Sequence, residues 1–419
     1  MNHNFNYRLS RQHIYFLSRN VKIGVYCIVL SVLLFSNVEA KRDNPLIYKI
    51  SSDIGFLSYD NNVYRSPDTT YTDYFSKSTG PVSIDPTIQA GFFLPLKTSA
   101  KFKLRPKLAR NIVLDGGIDY HGKMFSKASL HNANEHRIYS ILSIHKLSKL
   151  VGKYGGLFQF SSIKQSYVDR DSGQDKTSGV DDISDKYTYK KFGGLLDHKF
   201  KTGKITSSNS IGILKRDYID TVVVSEYDNI ESYFKSENKY NISKENRIGF
   251  DYQFSNLQYS DKHARRLSGI LSSNNPLLRY TYHKLKANWQ IDISENISYS
   301  SEFINSYRFD EYVSYNSYKL FEFGSNISIK RNKLLLKLEG SFQYRFYQNA
   351  YAFDNPIAGK MTYSDVQFSS ILTYQVSRIM KLYTKVNFSS TFTSDTRYEY
   401  DKELISAGFK LDLKNRLSN

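Results

Sequence analysis

The sequence is poor in cysteine, proline and long apolar runs, and each shortage narrows the possible folds. Its one cysteine among 419 residues, Cys27, lies in an N-terminal apolar segment. If that segment is removed, the remainder has no disulfide, no thiolate nucleophile and no cysteine-based metal site. The mean hydropathy of −0.49 excludes a bundle of membrane helices. With eight prolines and no low-complexity segment, wholesale disorder is not expected.

Aromatic residues and positive charge are abundant. The chain has 35 Tyr and 27 Phe, residues that favour half-buried sheet surfaces, and Tyr is also enriched at membrane–water boundaries. The net charge is +18, and the first 40 residues hold only a small part of it. Because the sequence has no recognition helix, zinc spacing or basic-aromatic RNA-binding motif, we predict no nucleic-acid partner.

The N-terminus has the three parts of a secretory signal peptide. Residues 1–22 are polar and basic, residues 23–35 are apolar, and Val38-Glu39-Ala40 fits a small-x-small cleavage site. We therefore predict a signal peptide over residues 1–40, cleaved near Ala40, and one exported domain over residues 41–419. An uncleaved anchor is the alternative, although the apolar run is short for a helix that needs about 20 residues to span a bilayer.

Alternation of apolar and polar side chains is the main pattern after the apolar run. In residues 334–346, apolar or aromatic residues and Gly340 occupy every second position, and Lys337, Glu339 and Arg345 fall between them. The pattern predicts about sixteen strands, at residues 46–59, 83–94, 104–125, 136–147, 153–169, 186–199, 204–219, 231–242, 246–260, 278–293, 296–311, 317–329, 333–348, 361–376, 380–394 and 402–414.

Short and long connections alternate between these strands. Residues 201–204 and 330–333 are tight turns, whereas residues 60–82 and 170–185 are long and polar. Transmembrane barrels combine short periplasmic turns with long external loops. The predicted strands also reach the roughly 9–11 residues that cross a bilayer at a tilt. The sequence therefore predicts an all-β fold, a closed antiparallel transmembrane β-barrel with an even number of strands and both termini in the periplasm.

The final predicted strand carries a short signal as well as alternation. A polar residue, a glycine and two spaced apolar residues resemble the C-terminal signal that the outer-membrane assembly machinery recognises in unfolded barrels. These residues are Ser406, Gly408, Leu411 and Leu413. We therefore predict the barrel assembly machinery as a partner. We also expect the final strand to pair with the first and remove the sheet edge.

Two further segments carry a family resemblance. Residues 58–68 read S-Y-D-N-N-V-Y-R-S-P-D, a strand end followed by a proline-containing loop, and residues 252–260 read Y-Q-F-S-N-L-Q-Y-S. Together with the strand that contains Gly408, they resemble the β-barrel porin family (the second family of that name) of Gram-negative outer membranes. The resemblance implies an outer-membrane barrel. It also implies polysaccharide export partners, since some members resemble components encoded with exopolysaccharide export systems, and it implies no catalytic residues.

Basic residues recur on the polar faces of the predicted strands. The candidates for lumen-facing cations are Lys284, Lys286, Lys337, Arg345, Lys385 and Lys410. A cationic lumen attracts anions, which predicts passage of anionic solutes or acidic polymers. Because Glu322, Glu339 and Asp412 occupy similar faces, filling by paired charges is the alternative.

Candidates for catalysis and metal binding are sparse. His121 beside Asp119 and His263 beside Asp261 are the best local pairs for a hydrolase, but no Gly-x-Ser-x-Gly motif accompanies them. Six aspartates in residues 169–185 offer oxygen ligands for Ca²⁺, although their spacing does not match an EF-hand. We predict no catalytic residue, no cofactor and no metal site.

The combined pattern predicts an outer-membrane, porin-like barrel that passes polar, anionic solutes or exported polysaccharide and is not an enzyme. Its predicted surroundings are outer-membrane lipid and lipopolysaccharide. Three alternatives stay open: a barrel with a filled lumen that serves as a surface adhesin or structural anchor, an outer-membrane hydrolase, and a soluble periplasmic sandwich.

Overall fold

The computed structural model describes one large sheet and the connections that belong to it. It describes residues 46–63, 65, 71–73, 82–84, 88–104, 112–126, 133–145, 152–165, 177–178, 181–182, 185–219 and 227–415. The predicted signal peptide lies outside these residues, as do Asp169, Asp171 and Asp175 of the aspartate-rich loop. Within the described residues, no helix has the length and apolar character needed to cross a membrane.

Sixteen long strands form the sheet. The first eight are β1 (Leu46–Asp60), β2 (Gly91–Leu104), β3 (Ile112–Phe125), β4 (Ala133–His145), β5 (Lys153–Gln165), β6 (Tyr189–Thr202), β7 (Ile205–Tyr218) and β8 (Asn229–Asn241). The second eight are β9 (Asn246–His263), β10 (Leu277–Ser294), β11 (Ile297–Asp310), β12 (Tyr318–Arg331), β13 (Leu334–Tyr351), β14 (Lys360–Gln375), β15 (Met380–Thr393) and β16 (Tyr400–Asn415).

Small elements occupy some of the connections. Two short ribbons pair Tyr71–Asp73 with Val82–Ile84 and Thr177–Ser178 with Asp181–Asp182. Single 3₁₀ turns lie at Ala352–Asp354, Pro356–Ala358 and Thr396–Tyr398. The ribbon at residues 177–182 and the first two 3₁₀ turns lie in connections that the sequence predicts to be long, whereas Val82–Ile84 overlaps the strand predicted at residues 83–94.

Every long strand pairs antiparallel with its neighbours in sequence, and β1 also pairs with β16, so the sheet is a closed barrel. The strands are 13 to 18 residues long, well beyond the five or six residues usual in soluble sheets. The predicted all-β closed antiparallel barrel, with about sixteen strands, is confirmed. β1 begins and β16 ends at the same rim, where Tyr48 is the partner of Asn415.

The predicted alternation of short and long connections is confirmed from β5 to β16, whereas the three connections between β2 and β5 span seven residues each. The turns β6–β7 and β12–β13 leave two residues each between the strands, and Gly203 and Asn332 adopt φ of 55° and 52° there. Such positive φ values match the twist of two-residue hairpins and favour Gly and Asn. We call this rim the short-turn end and the opposite rim the long-loop end.

The second and third strands differ from their predicted positions. The strand predicted at residues 83–94 is Gly91–Leu104, and the one predicted at 104–125 starts at Ile112. The reason lies at Pro95, which has no N–H to donate and normally marks a strand limit. Here the pairing of β1 with β2 is interrupted between Ile54 and Tyr59, so Pro95 stands opposite a bulge and the strand continues through it.

The buried apolar clusters of the described residues are small and lie at the long-loop end. One joins Val63 of the first loop to Phe93 and Phe125, with Leu404 packed against it. The other joins Ala264 to Leu278 and Tyr280. Both cover the ends of strands rather than filling the middle of the barrel.

Closure of the barrel depends on two glycines that face each other across the seam between β1 and β16. Gly408 is the partner of Gly55. A Cβ added at Gly408 would lie 2.4 Å from the carbonyl oxygen of Ile54 and 2.7 Å from the hydroxyl of Tyr383. The glycine in the predicted assembly signal therefore has a structural role in the folded barrel, because only hydrogen fits between the two seam strands and Tyr383.

We predict that Gly408→Ala weakens closure of the seam. The added methyl group meets backbone atoms that cannot move freely, and such overpacking costs about 1–3 kcal/mol. The midpoint temperature of the heat-modifiable gel shift should fall. Gly340→Ala is the matched control, since a Cβ at Gly340 has no atom within 4 Å among the described residues. Equal effects of the two substitutions would contradict the assignment.

Candidate functional site

The interior of the barrel contains a large polar cavity, and its lining shows which strand faces point inward. The cavity has a volume of about 1400 Å³, and β13 contributes Glu339, Ser341, Gln343 and Arg345 to its wall. The alternate residues of β13 point outward, where Phe342 remains 47% exposed. The alternation of the sequence thus becomes a polar inner face and an apolar outer face.

Charges of both signs line this cavity in equal number. Seven carboxylates face seven basic side chains. The carboxylates are Asp60, Glu237, Asp251, Glu302, Glu322, Glu339 and Asp365, and the basic residues are Arg65, Lys123, Lys239, Lys286, Arg345, Lys385 and Lys402. The wall is therefore mixed in charge. Its effect on a charged solute depends on where the positive and negative groups lie more than on their net charge.

The two signs concentrate on opposite sides of the barrel. Five of the carboxylates belong to β8, β9, β11, β12 and β13, a side that we call the acidic wall. Lys123, Lys385 and Lys402 belong to β3, β15 and β16, close to the seam, and with Arg65 of the first loop they form the basic wall. The strands of the acidic side also carry Lys239, Lys286 and Arg345, so the separation of the two signs across the lumen is partial.

Hydrogen bonds hold five of the seven carboxylates, but among the described residues only Asp60, Glu237 and Glu302 are paired with a cation. Lys402 donates to Asp60 at 2.7 Å and to the carbonyl oxygen of Asn62 at 2.8 Å. Asp365 accepts hydrogen bonds from Gln343 Nε2 at 3.0 Å and Thr391 Oγ1 at 2.6 Å. Further acceptors are Glu237 from Lys235, Glu302 from Lys286 and Glu339 from Asn326.

Several cations of the cavity have no such carboxylate. Within the described part of the chain, no carboxylate oxygen lies within 4.0 Å of the basic groups of Lys123, Lys385 or Arg345. The Nε atom of Arg345 is buried and makes no hydrogen bond. An anion that enters the cavity thus finds cationic groups that no described carboxylate occupies.

The structure brings the six predicted lumen cations to the inner face but not to one place. Lys286, Arg345 and Lys385 line the large cavity. Lys410 lies in a second cavity of about 420 Å³ near the short-turn end and pairs with Asp53 at 3.5 Å. Lys284 and Lys337 share the inner faces of their strands with residues that line the large cavity, but they do not line it themselves.

Sequence reasoning missed a ladder of tyrosines and arginines on the inner face at the long-loop end. Arg308 lies with its guanidinium carbon 4.6 Å from the ring centre of Tyr280 and 4.3 Å from that of Tyr318. Arg345 lies 5.4 Å from the ring centre of Tyr318 and 5.2 Å from that of Tyr363. These five residues, the tyrosine–arginine ladder, alternate cation and ring around the wall, an arrangement that cation–π attraction favours.

The ladder also fixes the neighbouring loops. Nε and one terminal nitrogen of Arg308 donate to the carbonyl oxygen of Asn316 at 3.0 and 2.7 Å. In the last loop, Arg397 lies over the ring of Tyr398 and donates to the buried carboxylate of Asp395 at 2.7 and 2.9 Å. This hydrogen bonding raises the pKa of Arg397, so its guanidinium stays charged.

A signal for the ladder exists in the sequence but is ambiguous. Tyr280, Arg308, Tyr318, Arg345 and Tyr363 occupy inward positions by strand parity, within the first or last residues of their strands. Tyr suits the membrane boundary outside as well as packing inside. Only the pairing register shows that the rings and guanidinium groups meet.

The two histidines considered for a hydrolase have other contacts. His121 Nδ1 lies 3.8 Å from a carboxylate oxygen of Glu135. His263 Nδ1 lies 2.5 Å from the carbonyl oxygen of Asn275. In the described residues, neither imidazole contacts a hydroxyl nucleophile, and no group of three His, Cys, Asp or Glu side chains could hold a metal ion.

The four residues of the predicted assembly signal lie at the seam. Ser406 is buried and Gly408 contacts β1, both on the inner face. Leu411 is the partner of Ser52 and Met380, close to the short-turn end, and Leu413 is exposed on the outer face. Recognition of these residues by the assembly machinery stays a prediction.

Comparison with known proteins gives structural matches alone. No family model and no curated protein matches the chain. Solved structures with a similar fold include an anion-selective porin from Comamonas acidovorans, with 7% identity, a TM-score of 0.47 and coverage of 88% of this chain and 100% of that one. The outer membrane channel DcaP of Acinetobacter baumannii has 11% identity, a TM-score of 0.46 and coverage of 88% and 97%.

A bacterial polysaccharide outer membrane secretin is also similar, with 9% identity, a TM-score of 0.41 and coverage of 88% of this chain and 98% of that one. Several of the similar structures are thus outer-membrane porins and channels. They assign no residue role to this chain. The resemblance to the second β-barrel porin family stays a prediction.

We predict that Arg308→Lys loosens the loop that follows β11. Lysine keeps the charge but loses the planar fork that donates twice to Asn316, so the loop should lose about 1–3 kcal/mol of stabilisation. Limited proteolysis of the folded barrel should then cut faster within residues 311–317. Arg247→Lys, at a position near the short-turn end that pairs with Asp292 at 3.4 Å, is the control and should leave the cutting rate unchanged.

Proposed function

We propose that this protein is an outer-membrane pore for polar solutes and is not an enzyme. The observation that carries the proposal is the closed sheet with an apolar outer face around a cavity of about 1400 Å³ lined by charged and amide side chains. A closed barrel leaves no backbone group unpaired in lipid, and the inner polar face allows water to follow the solute. The signal peptide over residues 1–40 accounts for export.

The outer face supports the membrane location. Large apolar side chains remain exposed around the barrel, among them Leu196 at 67%, Phe158 at 63% and Ile211 at 61%. A soluble sandwich would leave these surfaces in water, whereas lipid covers them at no cost. Outer-membrane lipid and lipopolysaccharide are therefore the surroundings that we propose.

Anions are the solutes that we propose the pore favours. The carboxylates of the cavity mostly accept hydrogen bonds from the wall itself, while Lys123, Lys385 and Arg345 have no carboxylate within 4.0 Å among the described residues. Bound carboxylates are less available to attract a cation, and free cations remain available to an anion. The preference for anions is therefore local, at Lys123 and Lys385 of the basic wall and at Arg345 of β13.

A filled barrel that acts as an adhesin or anchor is the second candidate. The tyrosine–arginine ladder and the loops fixed to it favour this function, because they fill part of the inner wall at the long-loop end. Single-channel recording in a planar bilayer separates the two candidates. The pore should give discrete conductance steps. Correctly folded protein that gives no steps would contradict the pore and favour the filled barrel.

We predict that Lys385→Glu lowers the preference of the pore for anions. Reversing one charge changes the energy of an ion passing within about 8 Å by up to about 1 kcal/mol, or about two- to fivefold in the permeability ratio. The zero-current potential in a salt gradient measures this ratio. Lys215→Glu, on the outer face beside Asp217 at 3.6 Å, is the control. A Lys385 variant with the wild-type potential would contradict the assignment of the basic wall.

We also predict that Phe342→Arg prevents stable insertion. Phe342 lies midway along β13 on the outer face, and a cationic side chain at mid-membrane costs about 2–4 kcal/mol. Urea titration of the barrel in lipid vesicles should show this loss. Ser341→Arg, one residue away on the inner face, should fold normally, and equal losses for both variants would place the membrane elsewhere.

A further inference from the structure

Three tyrosines and two arginines form a row at the long-loop end of the large cavity. Tyr363, Tyr398 and Tyr400 all line it. The ring centres of Tyr363 and Tyr398 lie 6.2 Å apart, Arg345 lies 5.2 Å from the ring centre of Tyr363, and Arg65 lies 5.8 Å from that of Tyr400. We call these five residues the mouth row. Aromatic rings and guanidinium groups therefore lie side by side at this end of the cavity.

The basic wall continues below the mouth row. Lys402 is held by Asp60 and the backbone of Asn62. Lys123 and Lys385 line the same cavity, and no carboxylate lies within 4.0 Å of either ammonium group among the described residues. A ligand whose apolar face rests on the mouth row can therefore place an anionic group on Lys123 or Lys385.

Neutral hydrogen-bonding groups fill the wall between the charged residues. Residues that are partners across neighbouring strands form a row around the wall, from Asn288 in β10 to Lys402 in β16. Within this row, Ser341, Gln367 and Ser389 point inward. The next row supplies Asn326, Ser369 and Asn387 to the same cavity. Hydroxyl and amide groups at this density match a ligand with many hydroxyl groups of its own.

The size of the cavity indicates an extended ligand. Pockets for drug-sized molecules have volumes of about 300–1,000 Å³, and this cavity of about 1400 Å³ inside the barrel is larger. A chain of several sugar units fits this volume better than a single small anion does.

We propose that the mouth row and the basic wall form a binding site for acidic oligosaccharides. The apolar faces of the sugar rings stack on Tyr363, Tyr398 and Tyr400. The carboxylates of the sugars pair with Lys123, Lys385 and Arg345. The hydroxyl groups exchange hydrogen bonds with the serine, asparagine and glutamine residues of the wall. This site rests on the proposed pore function and names the class of solute.

An aromatic carboxylate or an inorganic anion would contact fewer of the groups in the site. Either ligand would use the cations, but an inorganic anion leaves the tyrosines without a role. An aromatic acid leaves the hydroxyl and amide groups of the wall unused, although a ligand that excludes water from such groups must pair with them. An acidic sugar uses all three sets of groups.

The test measures binding and conduction separately on the refolded full chain. Isothermal titration in detergent would compare trigalacturonate with maltotriose, which is neutral, and with tricarballylate, a tricarboxylate without sugar rings. Block of the single-channel current by the same three probes would be recorded in a planar bilayer. We expect trigalacturonate to bind at least about tenfold more tightly than either comparison probe, since one charge-assisted contact contributes at least this factor.

Paired variants locate the site. Lys385→Gln should weaken binding of trigalacturonate and tricarballylate about tenfold and leave maltotriose unaffected. Tyr400→Leu should weaken binding of both sugars and leave tricarballylate unaffected. Tyr374→Leu and Lys215→Gln change an outward tyrosine and an outward lysine and should alter none of the three affinities.

The outcomes separate the site from the pore. Equal affinity for all three probes, or trigalacturonate binding that neither Lys385→Gln nor Tyr400→Leu changes, would overturn the site even if the protein conducts ions. Tight binding of trigalacturonate by a folded barrel that shows no conductance steps would support the site and overturn the pore.

Discussion

Pairing of the first strand with the last is the interaction on which the rest of the structure depends. In an open sheet of this length, two edges would leave rows of unpaired N–H and C=O groups, which neither lipid nor water-excluded protein tolerates. The seam achieves closure by removing side chains where the strands approach, at Gly55 and Gly408, and by bending β1 opposite Pro95. Only because this seam is closed does the sheet separate a polar interior from an apolar exterior.

Closure of the barrel also favours a balance of positive and negative side chains on its inner face. The inner face of a barrel of this width must be polar to hold water, but side chains crowd one another there, and like charges at short distance destabilise the wall. Lys286 therefore lies against Glu302 and Lys402 against Asp60. Lysines hold three of the seven cavity carboxylates, Asp60, Glu237 and Glu302. The cations that no described carboxylate contacts are left facing the lumen, although the total charge of the cavity lining is balanced.

The sequence predicts the fold well because its signals are local. Alternation in residues 334–346 and the tight turn that contains Asn332 need no knowledge of distant residues. The second strand lies beyond its predicted position because the bulge that tolerates Pro95 belongs to another strand. Predicting the contacts inside the lumen also requires the pairing register of the strands, since a shift of one residue in register moves a side chain to the other face. Alternation can place Arg308 inside, but only the register brings it between Tyr280 and Tyr318.

Fixed loops at the long-loop end link stability to recognition. Arg308 ties the loop after β11 to the wall, and Asp395 ties the last loop through Arg397 and the backbone N–H of Phe353. These contacts lie against the wall and beside the cavity, so the rings around them are ordered before any solute arrives. A preordered surface avoids the entropy lost when side chains become fixed on binding. The same arginine–tyrosine contacts that stabilise the rim therefore also order the inner wall where the solute site is proposed.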